Sequence, residues 1–212
     1  LKTNHTVFSL TNDDLLAHVH QTLDYLDEPF ADSSALNVFI LSKETRKHAT
    51  VALSGDGADE LLGGYNKHAA FHRIINKGWQ ENLTGVLEPL WKSLPQSRNS
   101  RWSNRFRQLS RFAEGMKLTS HDRYWQWAGF AKEAQALDLL SDQSKEKFQQ
   151  ADYIKRKQDL LKTIPVHESM REILLTDVNL VLPNDMLTKV DLMSMAHGLE
   201  VRVPFLDYRL VD

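Results

Sequence analysis

The chain has 212 residues, 42% of them hydrophobic and 25% charged, which is typical of one globular domain with its own core or of two small ones. Its 26 Lys and Arg residues nearly balance 28 Asp and Glu residues, so the net charge of −2 gives no overall field that would attract nucleic acid or an anionic membrane. Cysteine is absent, which excludes a thiol nucleophile, disulfides and thiolate metal sites within these residues. No run of about 20 apolar residues is present, so no membrane span is predicted.

Apolar periodicity predicts helices at the start of the chain. Thr11 has the sequence context of a helix start, and the apolar residues from Leu15 to Leu26 repeat at the spacing of one helical face. Pro29 ends this helix, and the apolar residues between 35 and 43 predict a second amphipathic helix.

A short β-branched run at residues 50–53 predicts a buried strand, and the Ser-Gly-Asp-Gly sequence at 54–57 predicts a turn directly after it. From about Ala58 the pattern is helical again, with an interruption at the glycine pair 63–64. Residues 79–161, which hold all five tryptophans, are also predicted to be helical.

The last part of the chain is predicted to contain two more helices. One begins after Pro165 and runs through Val181, and the other ends at about His197. Residues 201–212 are apolar and patterned, whereas natural termini are usually polar and frayed. We therefore expect the chain to be a piece of a longer protein.

A segment at residues 99–111 combines basic and aromatic side chains, a pattern that occurs in nucleic-acid-binding proteins. Helical spacing places Trp102, Phe106 and Leu109 on one face and the four arginines of the segment elsewhere. An amphipathic helix with a solvated basic face is the preferred interpretation, and no nucleic-acid partner is predicted.

Residues 53–65 contain the strongest chemical signal in the sequence. Two glycines flank Asp56 directly after the predicted strand, where ligands bind in parallel sheets, and Asp59 and Glu60 open the next helix. Because these carboxylates would repel a bare phosphate, a bound phosphate must bring a cation such as Mg²⁺. The alternative is that the acids only favour a helix N-terminus and the glycines only serve a tight turn. The segment is neither a Walker loop nor a dinucleotide fingerprint.

This segment, Leu53–Tyr65, resembles the signature of the synthetase domain of glutamine-hydrolysing asparagine synthetases. Further stretches that resemble the family occur in the expected order, at Glu28–Leu36 upstream and at Leu182–Asp191 and Ser194–Asp207 downstream. The resemblance covers most of both ends of the chain, whereas residues 79–165 match only as helical structure.

The resemblance implies an α/β fold of the adenine-nucleotide α-hydrolase-like, Rossmann-like type, although this segment is itself predominantly α-helical with one or two short parallel strands. Such enzymes use ATP and Mg²⁺ to adenylate the aspartate side-chain carboxylate, which ammonia from glutamine then attacks. The resemblance also implies a cytoplasmic location and no membrane or nucleic-acid partner, and it is compatible with a homodimer.

The chain lacks two parts of these enzymes. The family's first pyrophosphate loop, Ser-Gly-Gly-x-Asp-Ser, does not occur in it, and the glutaminase domain needs a cysteine nucleophile. Residues 1–212 are therefore expected to be the C-terminal portion of the synthetase domain, with the glutaminase domain and the first pyrophosphate loop absent. The isolated fragment is expected to be inactive.

The resemblance assigns roles to residues in the first third of the chain. Ser54 and Gly55 match positions that contact the adenylate, and Asp56 matches a position close to the reacting carboxylate. Asp59 matches a ligand of Mg²⁺-pyrophosphate. The neighbouring pair 32–33, Asp32 and Ser33, lies in a stretch that approaches the amino-acid substrate.

A cationic residue near the last helix would stabilise developing negative charge. Many relatives carry Lys or Arg at the position that is Leu192 here. Lys189 lies three residues earlier, almost on the same helical face, and is the natural substitute. The alternative is that Lys189 is a solvent-exposed lysine.

Two other functions remain open on the sequence. A related amidoligase could act on another carboxylate, as β-lactam-forming synthetases do. A non-catalytic protein-interaction module could keep the same fold.

Several other polar residues are interpreted as structural. His68 and His72 have helical spacing that could hold zinc, but a third ligand is not evident. His197 is assigned a structural role by default. Arg202 and Asp207 are expected to fix the local fold through an internal ion pair or turn hydrogen bonds.

Overall fold

The computed structural model describes residues 3–97, 99–162 and 169–211. Contacts divide the chain into two compact units. The strand unit consists of Leu1–Leu61 and Val178–Asp212, and the helical unit is Leu62–Asp177.

The described residues are mostly α-helical, as the sequence predicts. Besides the α-helices, the described residues form two short strands, one π-helix and one 3-10 helix. In chain order the elements are α1 (Asn12–Leu23), α2 (Ser34–Arg46), β1 (Val51–Leu53), α3 (Ala58–Leu62), α4 (Asn66–Ile75), α5 (Trp79–Val86), α6 (Glu88–Ser93), α7 (Arg101–Met116), α8 (Ser120–Ala128), α9 (Glu133–Asp138), α10 (Asp142–Lys147), α11 (Gln150–Lys162), α12 (Met170–Thr176), the π-helix (Asp177–Leu187), α13 (Thr188–Met195), β2 (Glu200–Arg202), the 3-10 helix (Pro204–Leu206) and α14 (Tyr208–Val211).

The predicted helix start at Thr11 is confirmed by a capping box. The Thr11 hydroxyl accepts a hydrogen bond from the Asp14 N–H at 3.2 Å, and the Asp14 carboxylate accepts one from the Thr11 N–H at 2.8 Å. These two bonds satisfy backbone donors that have no partner within the helix.

The predicted strand at 50–53 is confirmed as β1, which pairs in parallel with β2, but the expectation that it is buried is wrong, because Val51 and Leu53 are 41% and 72% exposed. The Glu200 N–H donates to the Thr50 carbonyl at 3.0 Å, and the Ser54 N–H donates to the Arg202 carbonyl at 2.8 Å. The sequence did not locate β2, because Glu200–Arg202 has only one apolar residue and lacks the apolar run that indicates β1. The pairing brings the turn after β1 beside the chain that follows β2.

The core of the strand unit lies between α2 and α13. Ala35, Phe39 and Ile40 of α2 are buried against Met193 of α13. The His197 ring lies edge-on to Phe39 with ring centroids 4.3 Å apart, which agrees with a structural role for this histidine.

The core of the helical unit is built around aromatic side chains. Phe71 and Tyr124 are buried, and the Trp127 ring packs edge-on against Phe71 at 4.8 Å between centroids. Gly115 allows α7 to approach α8 closely, because a Cβ atom there would overlap the Trp127 ring.

A carboxylate is fully buried in the helical unit. Asp177 is 0% exposed and accepts hydrogen bonds from the Lys67 ammonium at 2.7 Å and from the Tyr124 hydroxyl at 2.5 Å. Its other oxygen bonds His68 Nε2 at 2.5 Å, while His68 Nδ1 accepts the Tyr65 N–H at 3.3 Å. The Nε2–H tautomer of His68 satisfies both bonds, so His68 is a satisfied structural histidine. His72 is exposed.

Burial raises the pKa of Asp177, but the hydrogen bonds from His68 and Lys67, the Lys67 charge and the Tyr124 hydroxyl outweigh it, so the pKa lies below its ordinary value. The carboxylate is therefore ionised and fully paired inside the helical unit.

One expectation about the chain end is wrong in part. Arg202 pairs with Glu200 at 2.7 Å and the Asp207 carboxylate pairs with Arg209, so no described ion pair joins Arg202 to Asp207. Exposed neighbours two residues away supply the counter-charges. The turn hydrogen bond is confirmed, because Asp207 Oδ1 accepts the Arg209 N–H at 3.0 Å.

No helix in the described part of the chain has both the length and the apolar composition that crossing a bilayer requires.

We predict that Asp177→Asn lowers the free energy of unfolding by about 3–5 kcal/mol, because it leaves the Lys67 ammonium, whose side chain is only 12% exposed, without its counter-charge. Tyr124→Phe, which removes one of the hydrogen bonds, should cost about 1–2 kcal/mol. Urea unfolding followed by tryptophan fluorescence measures both, since all five tryptophans belong to the helical unit.

The matched control is Asp138→Asn, the same substitution at an exposed position of the helical unit, which should leave the transition unchanged. Since unfolded Asp titrates at about pH 3.9 and folded Asp177 titrates lower, its stabilising contribution is present at neutral pH and lost below about pH 4. A wild-type advantage that does not shrink on acidification would contradict this assignment.

Candidate functional site

The turn after β1 holds the first group of predicted site residues. The Ser54 hydroxyl donates to Asp56 Oδ2 and also accepts the Asp56 N–H at 3.4 Å. This arrangement fixes the Asp56 carboxylate beside the end of the strand, and both side chains are half-buried. Ser54 and Asp56 therefore lie together at the end of β1.

The two glycines of this turn have different functions. Gly57 has φ +88°, and a Cβ atom there would overlap the Leu206 side chain, so the conformation and the close approach both require glycine. Gly55 has an ordinary backbone conformation, and a Cβ atom on it would meet nothing within 4 Å. The backbone at Gly55 is exposed, which leaves room for a ligand.

The acidic pair in the first turn of α3 is split between solvent and core. Asp59 is exposed and makes no hydrogen bond or ion pair with the residues the structure describes, whereas Glu60 is buried. Among the described residues, no group of three or more His, Asp or Glu side chains could hold a metal ion. Mg²⁺ needs only one or two carboxylates when phosphate oxygens and water complete its shell, and the exposed Asp59 fits that arrangement.

Asp32 caps the start of α2. Its Oδ1 accepts the Ser34 N–H at 2.9 Å, and its Oδ2 accepts the Ser34 hydroxyl at 2.7 Å. Ser33, which the sequence proposed beside Asp32, is exposed and makes no capping hydrogen bond. The residue that sequence reasoning missed is Ser34, although an Asp two positions before a helical serine is a recognisable capping signal.

Lys189 is buried and paired with Asp32. Its ammonium donates to Asp32 Oδ2 at 2.6 Å and to the Met186 sulfur at 3.4 Å, and only 6% of the residue is exposed. The alternative of a solvent-exposed lysine is therefore wrong. An ammonium has three donors, and the third is not used by any described residue.

The pairing has a clear electrostatic consequence. Burial raises the pKa of Asp32, but the hydrogen bonds from Lys189 and Ser34 and the Lys189 charge outweigh it, so the pKa lies below its ordinary value. Asp32 therefore remains a carboxylate and holds the Lys189 ammonium in place.

An irregular helix delivers Lys189 to this position. The π-helix contains Pro183, whose carbonyl accepts the Thr188 hydroxyl at 2.7 Å, and the Asn184 amide donates to the Leu180 carbonyl at 2.8 Å. Side chains thus satisfy carbonyls that the irregular backbone leaves open. Stretches of π-helix are frequent at functional sites, and this one ends one residue before α13, whose second residue is Lys189.

The strand unit therefore contains two pairs of predicted site residues, Ser54 with Asp56 and Asp32 with Lys189. No described hydrogen bond or ion pair connects one pair to the other. Leu192 is half-buried and packs against the α2–α13 core.

Comparison with known families matches residues 1–212 to the family described as Asparagine synthase. The chain is 31% identical over 198 residues to asparagine synthetase (glutamine-hydrolyzing) 1 of Bacillus subtilis. The aligned region covers 89% of this chain and 28% of that protein. It is 29% identical over 214 residues to a putative asparagine synthetase (glutamine-hydrolyzing) of Mycobacterium tuberculosis, which covers 96% of this chain and 29% of that protein.

A shorter match with higher identity joins this chain to putative asparagine synthetase (glutamine-hydrolyzing) 2 of Methanocaldococcus jannaschii, at 48% identity over 48 residues, or 23% of this chain and 9% of that protein. No solved structure matches the chain significantly. The chain spans less than a third of the length of the curated relatives that it matches.

We predict that Asp32→Asn lowers the free energy of unfolding by about 2–3 kcal/mol, somewhat less than for a fully buried pair because Asp32 keeps some contact with solvent. Lys189→Met should cost less, since Asp32 retains both Ser34 bonds. The double variant should be more stable than Asp32→Asn alone, because no unpaired charge remains buried.

Far-UV circular dichroism in urea is the appropriate measurement, because the strand unit contains no tryptophan. Glu44→Gln, which breaks the ion pair with the exposed Lys47 on α2, serves as the matched control and should change little. A double variant no more stable than Asp32→Asn would show that the pair does not act as a unit.

Proposed function

The chain belongs to the asparagine synthase family, and on that premise we propose that it is the C-terminal portion of a synthetase domain that forms a carbon–nitrogen bond. The proposed reaction consumes ATP: the side-chain carboxylate of aspartate attacks the α-phosphorus, pyrophosphate leaves, and ammonia from glutamine displaces AMP from the acyl-adenylate. The missing first pyrophosphate loop and the glutaminase domain would come from sequence outside these 212 residues.

The observation that carries the proposal is the buried ammonium of Lys189. Because Asp32 and Met186 occupy two of its donors, the third is available to a substrate oxygen. A cation held in a largely buried position stabilises negative charge more than one in water does, and it needs no rearrangement when that charge develops. We assign Lys189 to charge stabilisation on the reacting groups, with Asp32 and Ser33 beside the amino-acid substrate.

The turn after β1 suits the nucleotide end of the substrate. The open space at Gly55 admits the adenylate to the backbone, and the Ser54 hydroxyl can exchange its bond to Asp56 for one to the nucleotide. Asp56 then lies at the reacting carboxylate, where it would orient the ammonia and accept a proton.

Asp59 is the residue that would hold Mg²⁺. Its exposed carboxylate is available, and the ion would neutralise charge on the pyrophosphate when bound there. The carboxylates of this segment repel a bare phosphate, so a metal-bound phosphate fits them better than a free one.

We predict that Asp59→Asn abolishes aspartate-dependent exchange of pyrophosphate into ATP in the longer protein that contains this chain, with a loss of at least about 100-fold and an unchanged circular dichroism spectrum. The matched control is Asp13→Asn, which removes an exposed acid from the first turn of α1. The 212-residue chain alone should show no exchange. Near-normal exchange in Asp59→Asn would remove Asp59 from the site.

We further predict that Lys189→Met lowers kcat for amide formation by at least about 100-fold, because the substitution preserves volume but removes the charge. Lys47→Met, at an exposed lysine of the same unit, is the control and should retain full activity. A folded Lys189→Met enzyme within tenfold of wild type would limit Lys189 to a structural role.

A further inference from the structure

A groove of about 920 Å³ lies within the helical unit, on residues that the candidate site does not use. Residues of α4, α5, α6, α7 and α8 line it, and two kinds of side chain predominate among them, arginine and aromatic. The volume is within the range of small-molecule sites, about 300–1,000 Å³.

The groove has an excess of positive charge. Arg73, Arg105 and Arg111 line it, and none of them takes part in an ion pair among the described residues. The one carboxylate among the described lining residues, Glu81, accepts the Gly78 N–H at 2.9 Å at the start of α5 and also interacts electrostatically with Arg73, which leaves Arg105 and Arg111 without a matching carboxylate among the described lining residues. Arginines gathered in a groove without matching carboxylates attract an anion, and their planar fork suits phosphate.

An exposed indole accompanies these arginines. Trp102 is 65% exposed although it lines the groove, and the Arg105 guanidinium lies over its ring, 5.7 Å from the centroid. The sequence pattern placed the arginines away from the Trp102 face. The structure instead brings Arg105 and Arg111 into the same groove as Trp102, so the solvated basic face predicted for α7 is only part of the arrangement.

We propose that this groove binds a nucleoside phosphate, with Arg73, Arg105 and Arg111 on the phosphate and Trp102 stacked on the base. Arginine alone would accept any anion, whereas an exposed indole beside it adds a platform for a planar ring. The net charge of −2 gives no long-range attraction for a large polyanion, which favours a mononucleotide or a short single strand.

The test uses uridine 5′-monophosphate and a fluorescein-labelled 12-mer of thymidylate with the full 212-residue chain, without Mg²⁺ or ATP. An adenine-specific site would not bind either probe. Trp102→Ala and Arg105→Ala should each weaken binding at least about fivefold, measured by calorimetry for the mononucleotide and by fluorescence anisotropy for the oligomer. Both residues are exposed, so the variants should fold normally.

Two controls match these variants. Trp79→Ala removes an indole that is 72% exposed and lies outside the groove, and Arg101→Ala removes an exposed arginine of α7 that does not line it. Neither should change binding of either probe.

Binding of the mononucleotide with this dependence on Trp102 and Arg105 supports the proposal with a free nucleotide as ligand. Tight binding of the oligomer alone, again weakened by Trp102→Ala and Arg105→Ala, supports the proposal with a short single strand as the ligand. Absence of binding by both probes, equal losses in the control variants, or equally tight binding of polyglutamate that is indifferent to Trp102→Ala would overturn it.

Discussion

The ion pair between Lys189 and Asp32 joins residues 157 positions apart, and it links α13 to the start of α2 in the strand unit. Two charges removed from water are unfavourable unless they meet with good geometry and gain further hydrogen bonds, which Ser34 supplies to Asp32 and Met186 to Lys189, leaving one ammonium donor unused by the described residues. Because Met193 lies four residues after Lys189 on the same helical face, the contact that buries Met193 against α2 also brings the ammonium to Asp32. Helix packing and charge pairing therefore favour the same alignment of α13 against α2.

The alignment of α13 against α2 limits where the turn after β1 lies. α13 leads into β2 within a few residues, and β2 pairs with β1, so the position of α13 limits that of the turn holding Ser54 and Asp56. Two of the charged groups proposed for chemistry are held by a neighbour, Lys189 by Asp32 and Asp56 by Ser54. Such preorganisation is what electrostatic stabilisation of a transition state requires. Asp59, with no described partner, is suited to a ligand that arrives with the substrate.

The sequence predicted elements that depend on local chemistry and missed those that depend on distant residues. The capping box at Thr11, the strand at 51–53 and the break at the glycine pair 63–64 follow from adjacent residues, and all are confirmed. Family resemblance singled out Lys189, but its burial depends on a carboxylate far away in the chain. The local sequence therefore could not exclude a solvent-exposed lysine. Three further features depend on contacts that no spacing reveals: β2, the buried Asp177 and the arginines beside Trp102.

Carboxylate activation by adenylation is the central claim about function, and oxygen-18 transfer tests it most directly. Aspartate labelled in its side-chain carboxylate would be turned over by the longer synthetase that we propose to contain this chain, and the phosphate products would be examined by mass spectrometry. If the carboxylate attacks the α-phosphorus, one labelled oxygen leaves in AMP when ammonia displaces it. Label in inorganic phosphate, with ADP as the nucleotide product, would mean attack at the γ-phosphorus and would contradict the account.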